Sequence, residues 1–195
     1  PRCLDLRAVL RSTLIVWSDA MYEADTGCLG FIAFDPDTSS YYFSAYEVES
    51  WVYGFFRVLK TYIGQLEIYA VLFAYMTLPR HVVSNRPVLH YIDNTSSMAG
   101  AIKGSSPKRD SAHLLTILHL LFAKLNIAPW FAYVASKANC SDGPSRLDFD
   151  FAMHSLHALW LAPAALTKPQ LSMRAQDWIQ ERIVRASPRV SGAQR

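Results

Sequence analysis

Three acids in this chain adjoin stretches that are otherwise apolar. Asp19 follows Leu14-Ile15-Val16-Trp17-Ser18, Asp93 follows Val88-Leu89-His90-Tyr91-Ile92, and Glu67 lies just ahead of the apolar run Ile68 to Met76. A carboxylate in such a setting is costly unless something compensates it. Taken singly, each reads first as a helix cap or a salt-bridged acid. Their joint placement says more. Adjacent strands ending at one sheet edge bring Asp19 and Asp93 together, and a helix packed on the sheet can aim Glu67 at the same point. Asp142, at the start of the segment after the last apolar strand, can reach that edge as well. Converging carboxylates repel one another, and hard divalent cations relieve the repulsion. Mg²⁺ in particular favours carboxylate and water oxygens in octahedral geometry. Two such ions about 4 Å apart clamp an in-line displacement at phosphorus, so the chemistry indicated is phosphodiester hydrolysis.

The elements that must position these acids follow from periodicity. Leu14 to Trp17 is a short buried strand. Gly27 to Phe34 and Tyr41 to Tyr46 are rich in aromatic and β-branched residues and flank Asp35-Pro36-Asp37-Thr38-Ser39-Ser40, which predicts a hairpin. From Gly64 to Leu78 the pattern is helical and apolar nearly all round, the mark of an enclosed helix. Val88 to Ile92 is a second buried strand. Helices over Thr95 to Ile102 and Ser111 to Leu125 come next, and Trp130 to Val134 is a third strand of the buried type. Asp142 to Leu161 reads as a helix, and Ser172 as the cap of a final one carrying Trp178, Ile179 and Ile183. This order predicts a mixed α/β fold: a five-stranded sheet, an antiparallel meander followed by parallel strands, with flanking helices.

The 195 residues suit one compact domain with a short extension. The expected division is a lead-in over 1–12, a domain over 13–160 and a basic extension over 161–195. That extension holds a short helix and ends in a low-complexity tail, Ser187 to Arg195, expected to be flexible. With 51% hydrophobic residues the chain can bury a core, which excludes wholesale disorder. The longest apolar run, Ile68 to Met76, is too short to span a bilayer, so no membrane association is expected. The start of the chain shows no secretory pattern. Cys3, Cys28 and Cys140 form no Cys-x-x-Cys pair, and the expected setting is a reducing intracellular one, cytoplasm or nucleus.

The net charge of +3 is too small to announce a nucleic-acid binder, but it is unevenly spread. Residues 1–49 carry three cations against eight anions, whereas residues 50–109 carry seven against two. Within that basic zone, Lys103, Lys108 and Arg109 flank a loop that is either a nucleic-acid backbone contact or a solubilising face. The pairs His113/His119 and His154/His157 lack a third zinc ligand at a recognised spacing, and core or surface roles suit them better. Trp130 and Tyr133 could stack on bases, but their strand position makes them core residues first. Ser18 lacks the glycines of a nucleophile elbow, and the Lys103–Arg109 loop lacks the Walker lysine.

Four fragments, in order, resemble the ribonuclease H domain of retroelement reverse transcriptases over about Trp17 to Phe149. Ser18-Asp19-Ala20 with Gly27-Cys28-Leu29-Gly30 is similar to its opening strand and hairpin. Gly64-Gln65-Leu66-Glu67 with Ala70 resembles its glutamate helix, and Tyr91-Ile92-Asp93-Asn94-Thr95 its Asp-Asn strand end. Ser136 to Arg146, SKANCSDGPSR, resembles the closing motif of retrotransposon ribonucleases H, including the tyrosine-recombinase class.

The resemblance implies a ribonuclease H-like fold and hydrolysis of the RNA strand of RNA–DNA hybrids. Asp19, Glu67, Asp93 and Asp142 would hold two Mg²⁺ ions, replaceable by Mn²⁺. Selectivity would come from 2′-hydroxyls and duplex shape. Asn94 is then a 2′-hydroxyl or backbone contact, or simply the cap of the helix at Thr95. Lys137 is a phosphate contact or a solvated loop lysine. The histidine that cellular ribonucleases H carry before the last aspartate is missing from Ala135-Ser136-Lys137-Ala138. A reverse transcriptase domain is the partner implied. Tyr91-Ile92-Asp93-Asn94 lacks the second aspartate of a polymerase hairpin. The competing reading is a catalytically silent domain serving as a scaffold or subunit. Transposases and resolvases of similar fold place their glutamate late in the chain, unlike Glu67.

Overall fold

The computed structural model describes residues 11–173 and Asp177. Three strands come first, β1 (Leu14–Glu23), β2 (Thr26–Asp35) and β3 (Ser40–Glu47), paired antiparallel in sequence order. Short α1 (Ser50–Tyr53), long α2 (Ile63–Thr77) and short α3 (Arg80–Val83) lead to β4 (Arg86–Ile92). Then α4 (Thr95–Lys103) and α5 (Arg109–Leu125) lead to β5 (Ile127–Tyr133). β4 lies parallel to β1, and β5 parallel to β4. The predicted meander and parallel strands are therefore present. A sixth strand, β6 (Leu159–Trp160), adds to β3, giving the order β5-β4-β1-β2-β3-β6.

α2 is the central pillar. Every residue from Gln65 to Tyr75 is buried, because the helix packs against β1 and β2 on one side and α4 and α5 on the other. That enclosure explains why its sequence has no polar stripe. Arg86, part of the basic zone of the sequence, is fully buried: its Nη1 bonds Asp35 Oδ1 at 2.9 Å and the Val82 carbonyl at 3.0 Å. It belongs to the core ledger of charges rather than to any surface patch.

The chain after β5 departs from expectation. The helix expected over Asp142 to Leu161 is instead one turn, α6 (Asp142–Ser145), followed by a five-residue π-helical turn at Phe151–Ser155. Leu147 (φ 60°) and His157 (φ 50°) adopt left-handed backbone, which breaks a helix. The apolar residues that mimic a helical face are used differently. Phe149, Ala152, Leu156 and Ala158 pack on Ile32, Phe43 and Trp17 along an irregular path. A further helix, α7 (Lys168–Ser172), is capped by Thr167 in a reciprocal pairing with Gln170 and ends at Ser172. Trp178, Ile179, Ile183 and the tail Ser187–Arg195 lie outside the described residues, as does the chain before Arg11. No helix among the described residues is long and apolar enough to cross a membrane.

Candidate active site

Asp19 lies past the midpoint of β1, with Gly30 opposite it on β2. Asp93 follows β4 directly, and the parallel pairing of β1 with β4, which sets Trp17 against Tyr91, carries both acids to the same side of the sheet. Glu67 enters from the first turns of α2. One carboxylate oxygen from each of the three lies within 4.8 Å of the other two. Asp19 and Glu67 are buried, at 6% and 5% exposure, while Asp93 is half-buried.

The electrostatic consequences are large. Burial, then the Asp19 and Asp93 charges, push the Glu67 carboxyl up to about 9. Burial, opposed by a Ser145 hydrogen bond and reinforced by Asp93 and Asp142, pushes Asp19 up to about 6. Glu67 Oε2 is buried with no hydrogen-bond partner. Buried carboxylate oxygens are normally satisfied, and an orphan on a residue clustered with two further carboxylates is the arrangement a hard divalent cation completes. The donor set fits a hard divalent cation, with Asp19, Glu67 and Asp93 as the residues that would hold it.

Asp142 stands apart from this trio. Its side chain is 51% exposed and its Oδ1 takes a 3.0 Å bond from Arg146 Nε, while Arg146 Nη1 also reaches Glu23 at 3.4 Å. The four expected acids are thus three gathered and one tethered on the rim. The turn bearing Asp142 sits close to β2 because Gly30 has no side chain; a Cβ there would lie 2.2 Å from Ser145 N and 2.6 Å from the Pro144 carbonyl carbon.

The expected nucleic-acid contacts scatter around this centre. Asn94 caps α4, its Oδ1 accepting from Ser97 N at 3.0 Å. Lys103 and Lys108 line a cavity of about 530 Å³ with Gly64, Ser96, Ser97 and Ser111, beside the start of α2. Arg109 faces a larger cavity of about 1010 Å³ with Phe55, Phe56 and Leu171. Lys137 is exposed on a 3₁₀ turn. Trp130 and Tyr133, expected in the core, are 73% and 54% exposed because β5 is the sheet's edge. His113 and His119 bond the Leu171 and Ala101 carbonyls at 2.9 Å, as structural histidines do.

No protein-family model and no curated protein matches this sequence. Solved structures do. The RNase H1 of the halophilic archaeon Halobacterium salinarum NRC-1 superposes with a TM-score of 0.56 at 11% identity, over 71% of this chain and 98% of that one. The fold is that of ribonuclease H. LC11-RNase H1, isolated from compost by a metagenomic approach, gives a TM-score of 0.52 at 12% identity, over 72% of this chain and 98% of that one.

Within the ribonuclease H fold of this chain, one feature escaped the sequence. His90 is fully buried, and its Nδ1 and Nε2 lie 2.9 Å from Tyr75 Oη and 2.8 Å from Ser18 Oγ. Burial holds the imidazole down to about 3, so it is neutral and bridges α2, β4 and β1 next to Asp19. A lone histidine inside an apolar strand was the available signal.

Proposed function

We propose that this chain is a Mg²⁺-dependent endoribonuclease that cuts the RNA strand of RNA–DNA hybrids. The observation that carries the reading is the buried trio Asp19, Glu67 and Asp93, with the partnerless Glu67 Oε2 among them. The ribonuclease H fold supports it. Bound divalent metal would supply an activated water and charge neutralisation at the scissile phosphate. The chain's own part is to fix the oxygens that hold the metal. Burial keeps Asp19 and Glu67 poorly solvated, so their affinity goes to a cation rather than to water. Asp142 on the rim is the fourth acid, and Lys103, Lys108, Arg109, Lys137 and Asn94 are the proposed backbone and 2′-hydroxyl contacts. The resemblance of Ser136 to Arg146 to a retrotransposon closing motif supports a retroelement-derived domain that works beside a reverse transcriptase domain.

The test is incubation of the protein with labelled RNA–DNA hybrid and all-DNA duplex, with and without Mg²⁺. Cleavage of the hybrid's RNA strand only, lost on removing Mg²⁺ and in Asp93→Asn, is the expected result. Equal cutting of both duplexes would replace it with a general nuclease. The Arg146–Asp142 pair favours the alternative of a silent scaffold, which cutting of neither duplex would support.

A further inference from the structure

The turn that carries Asp142 is fastened to β1 at two consecutive residues. Asn139 donates from Nδ2 to the Ser18 carbonyl at 3.2 Å, while its Oδ1 accepts from Ser141 Oγ at 2.6 Å and from Ser141 N at 3.3 Å. One residue on, the Ser145 hydroxyl bonds Asp19 Oδ2, with the Asp142 carbonyl oxygen 2.9 Å from the same Oγ. A hydroxyl has a single proton, and the carboxylate is the stronger acceptor, so the proton goes to Asp19. Asn139, Ser141 and Ser145 are buried at 4%, 0% and 0% exposure. The close packing at Gly30 is against the backbone of Pro144 and Ser145, so it makes no call for a hydroxyl at position 145. The hydroxyl therefore answers to the carboxylate, not to the packing.

We propose that Ser145 is a positioning residue for the metal centre: its hydroxyl fixes the Asp19 carboxylate and ties to it the turn bearing Asp142. The inference rests on the metal reading of the trio. With one oxygen of Asp19 held, the carboxylate is not free to rotate, and its remaining lone pairs keep one direction toward a cation. Hydrogen-bond partners behind metal ligands characteristically change affinity by about 10–100-fold when removed. The same bond also makes the position of Asp142 answer to that of Asp19, since residues 142 and 145 share one helical turn.

Mn²⁺ titration of the full chain, followed by the amplitude of the free-ion EPR signal, tests this without substrate. Ser145→Ala is expected to weaken Mn²⁺ binding by about tenfold. Ser44→Ala removes another fully buried hydroxyl, one that donates to the Leu161 carbonyl at 2.8 Å on β3, and is expected to leave Mn²⁺ affinity within about twofold of wild type. Ser145→Cys, close in shape and a poor donor, serves if the alanine variant does not fold, with the same loss expected. Ser145→Ala or Ser145→Cys binding Mn²⁺ like wild type would overturn the role of Ser145 alone. An equal loss in Ser44→Ala would overturn it too, by showing a general effect of instability. Absence of Mn²⁺ binding by the wild-type chain would overturn the metal reading itself, and this inference with it.

Discussion

Replacing Glu67 by glutamine should stabilise the metal-free protein while destroying its response to metal. Glu67 is 5% exposed, its Oε2 has no partner, and burial beside Asp19 and Asp93 holds its carboxyl at about 9, against 4.5 for the free side chain. The folded state therefore keeps a proton that the unfolded chain has released. Because the folded value is the higher one, this group favours folding at low pH, and that contribution drains away as pH climbs from about 4.5 to about 9. Each pH unit across the window is worth ~1.4 kcal/mol. Between pH ~5.5 and ~8 the wild type should thus lose on the order of 3 kcal/mol that Glu67→Gln, which has no proton to lose, retains. Urea unfolding of both proteins in EDTA at the two pH values gives the difference directly. At pH ~8 the variant should be ahead by about 3 kcal/mol more than at pH ~5.5, and the two should converge only near pH 4.5, where the unfolded carboxyl keeps its proton as well. Mg²⁺ should then raise the wild-type midpoint and leave the variant's unmoved, since ligand binding to the folded state alone adds stability. A Glu67→Gln protein less stable than wild type at pH ~8 in EDTA, or a gap that does not widen with pH, would refute the reasoning.

Gly30→Ala should displace the Pro144–Ser145 backbone from β2, because its Cβ would sit 2.2 Å from Ser145 N; a loss of about 1–3 kcal/mol in denaturant unfolding is expected. Asp35→Ala leaves the fully buried Arg86 guanidinium with Asp37, 3.6 Å away, as its remaining carboxylate, and should lower stability by less than the cost of a wholly unpaired buried charge, about 3–5 kcal/mol, read from the same transition. His90→Phe should lose stability through the abandoned Tyr75 and Ser18 groups, and the loss should shrink in acid. The folded imidazole sits at about 3 and the unfolded one at 6.5, so protonating the unfolded chain destabilises wild type as pH falls through that window. The variant escapes this drain, and its deficit should narrow by about 2 kcal/mol between pH ~7 and ~5. A deficit that stays constant with pH would mean that His90 takes up its proton in the folded protein as readily as in the unfolded chain, and would refute the buried neutral imidazole.

What the linear chain determined is what alternation and apolar periodicity can encode. β1, β2, β3, β4 and the enclosed α2 were legible because each is a run whose own burial pattern dictates its conformation, and the acids stood out because they interrupt or end those runs. That Asp19 and Asp93 share one side of the sheet follows from the parallel pairing and register of β1 with β4. The chain beyond β5 was less legible, since its apolar residues fit a helical period while Leu147 and His157 take left-handed backbone for reasons no local pattern carries. Trp130 and Tyr133 read as core because a strand's sequence does not say whether it lies at an edge. Only the folded chain decided that three acids gather while Asp142 stays on the rim paired with Arg146, that Glu67 Oε2 is left without a partner, and that Ser145 reaches Asp19. Those are distances of a few ångströms between residues up to 126 positions apart, and the one from Ser145 to Asp19 depends on how closely the Pro144–Ser145 backbone can approach β2 at Gly30. Composition and spacing specify which groups exist; the packing of backbone on backbone fixes which of them touch.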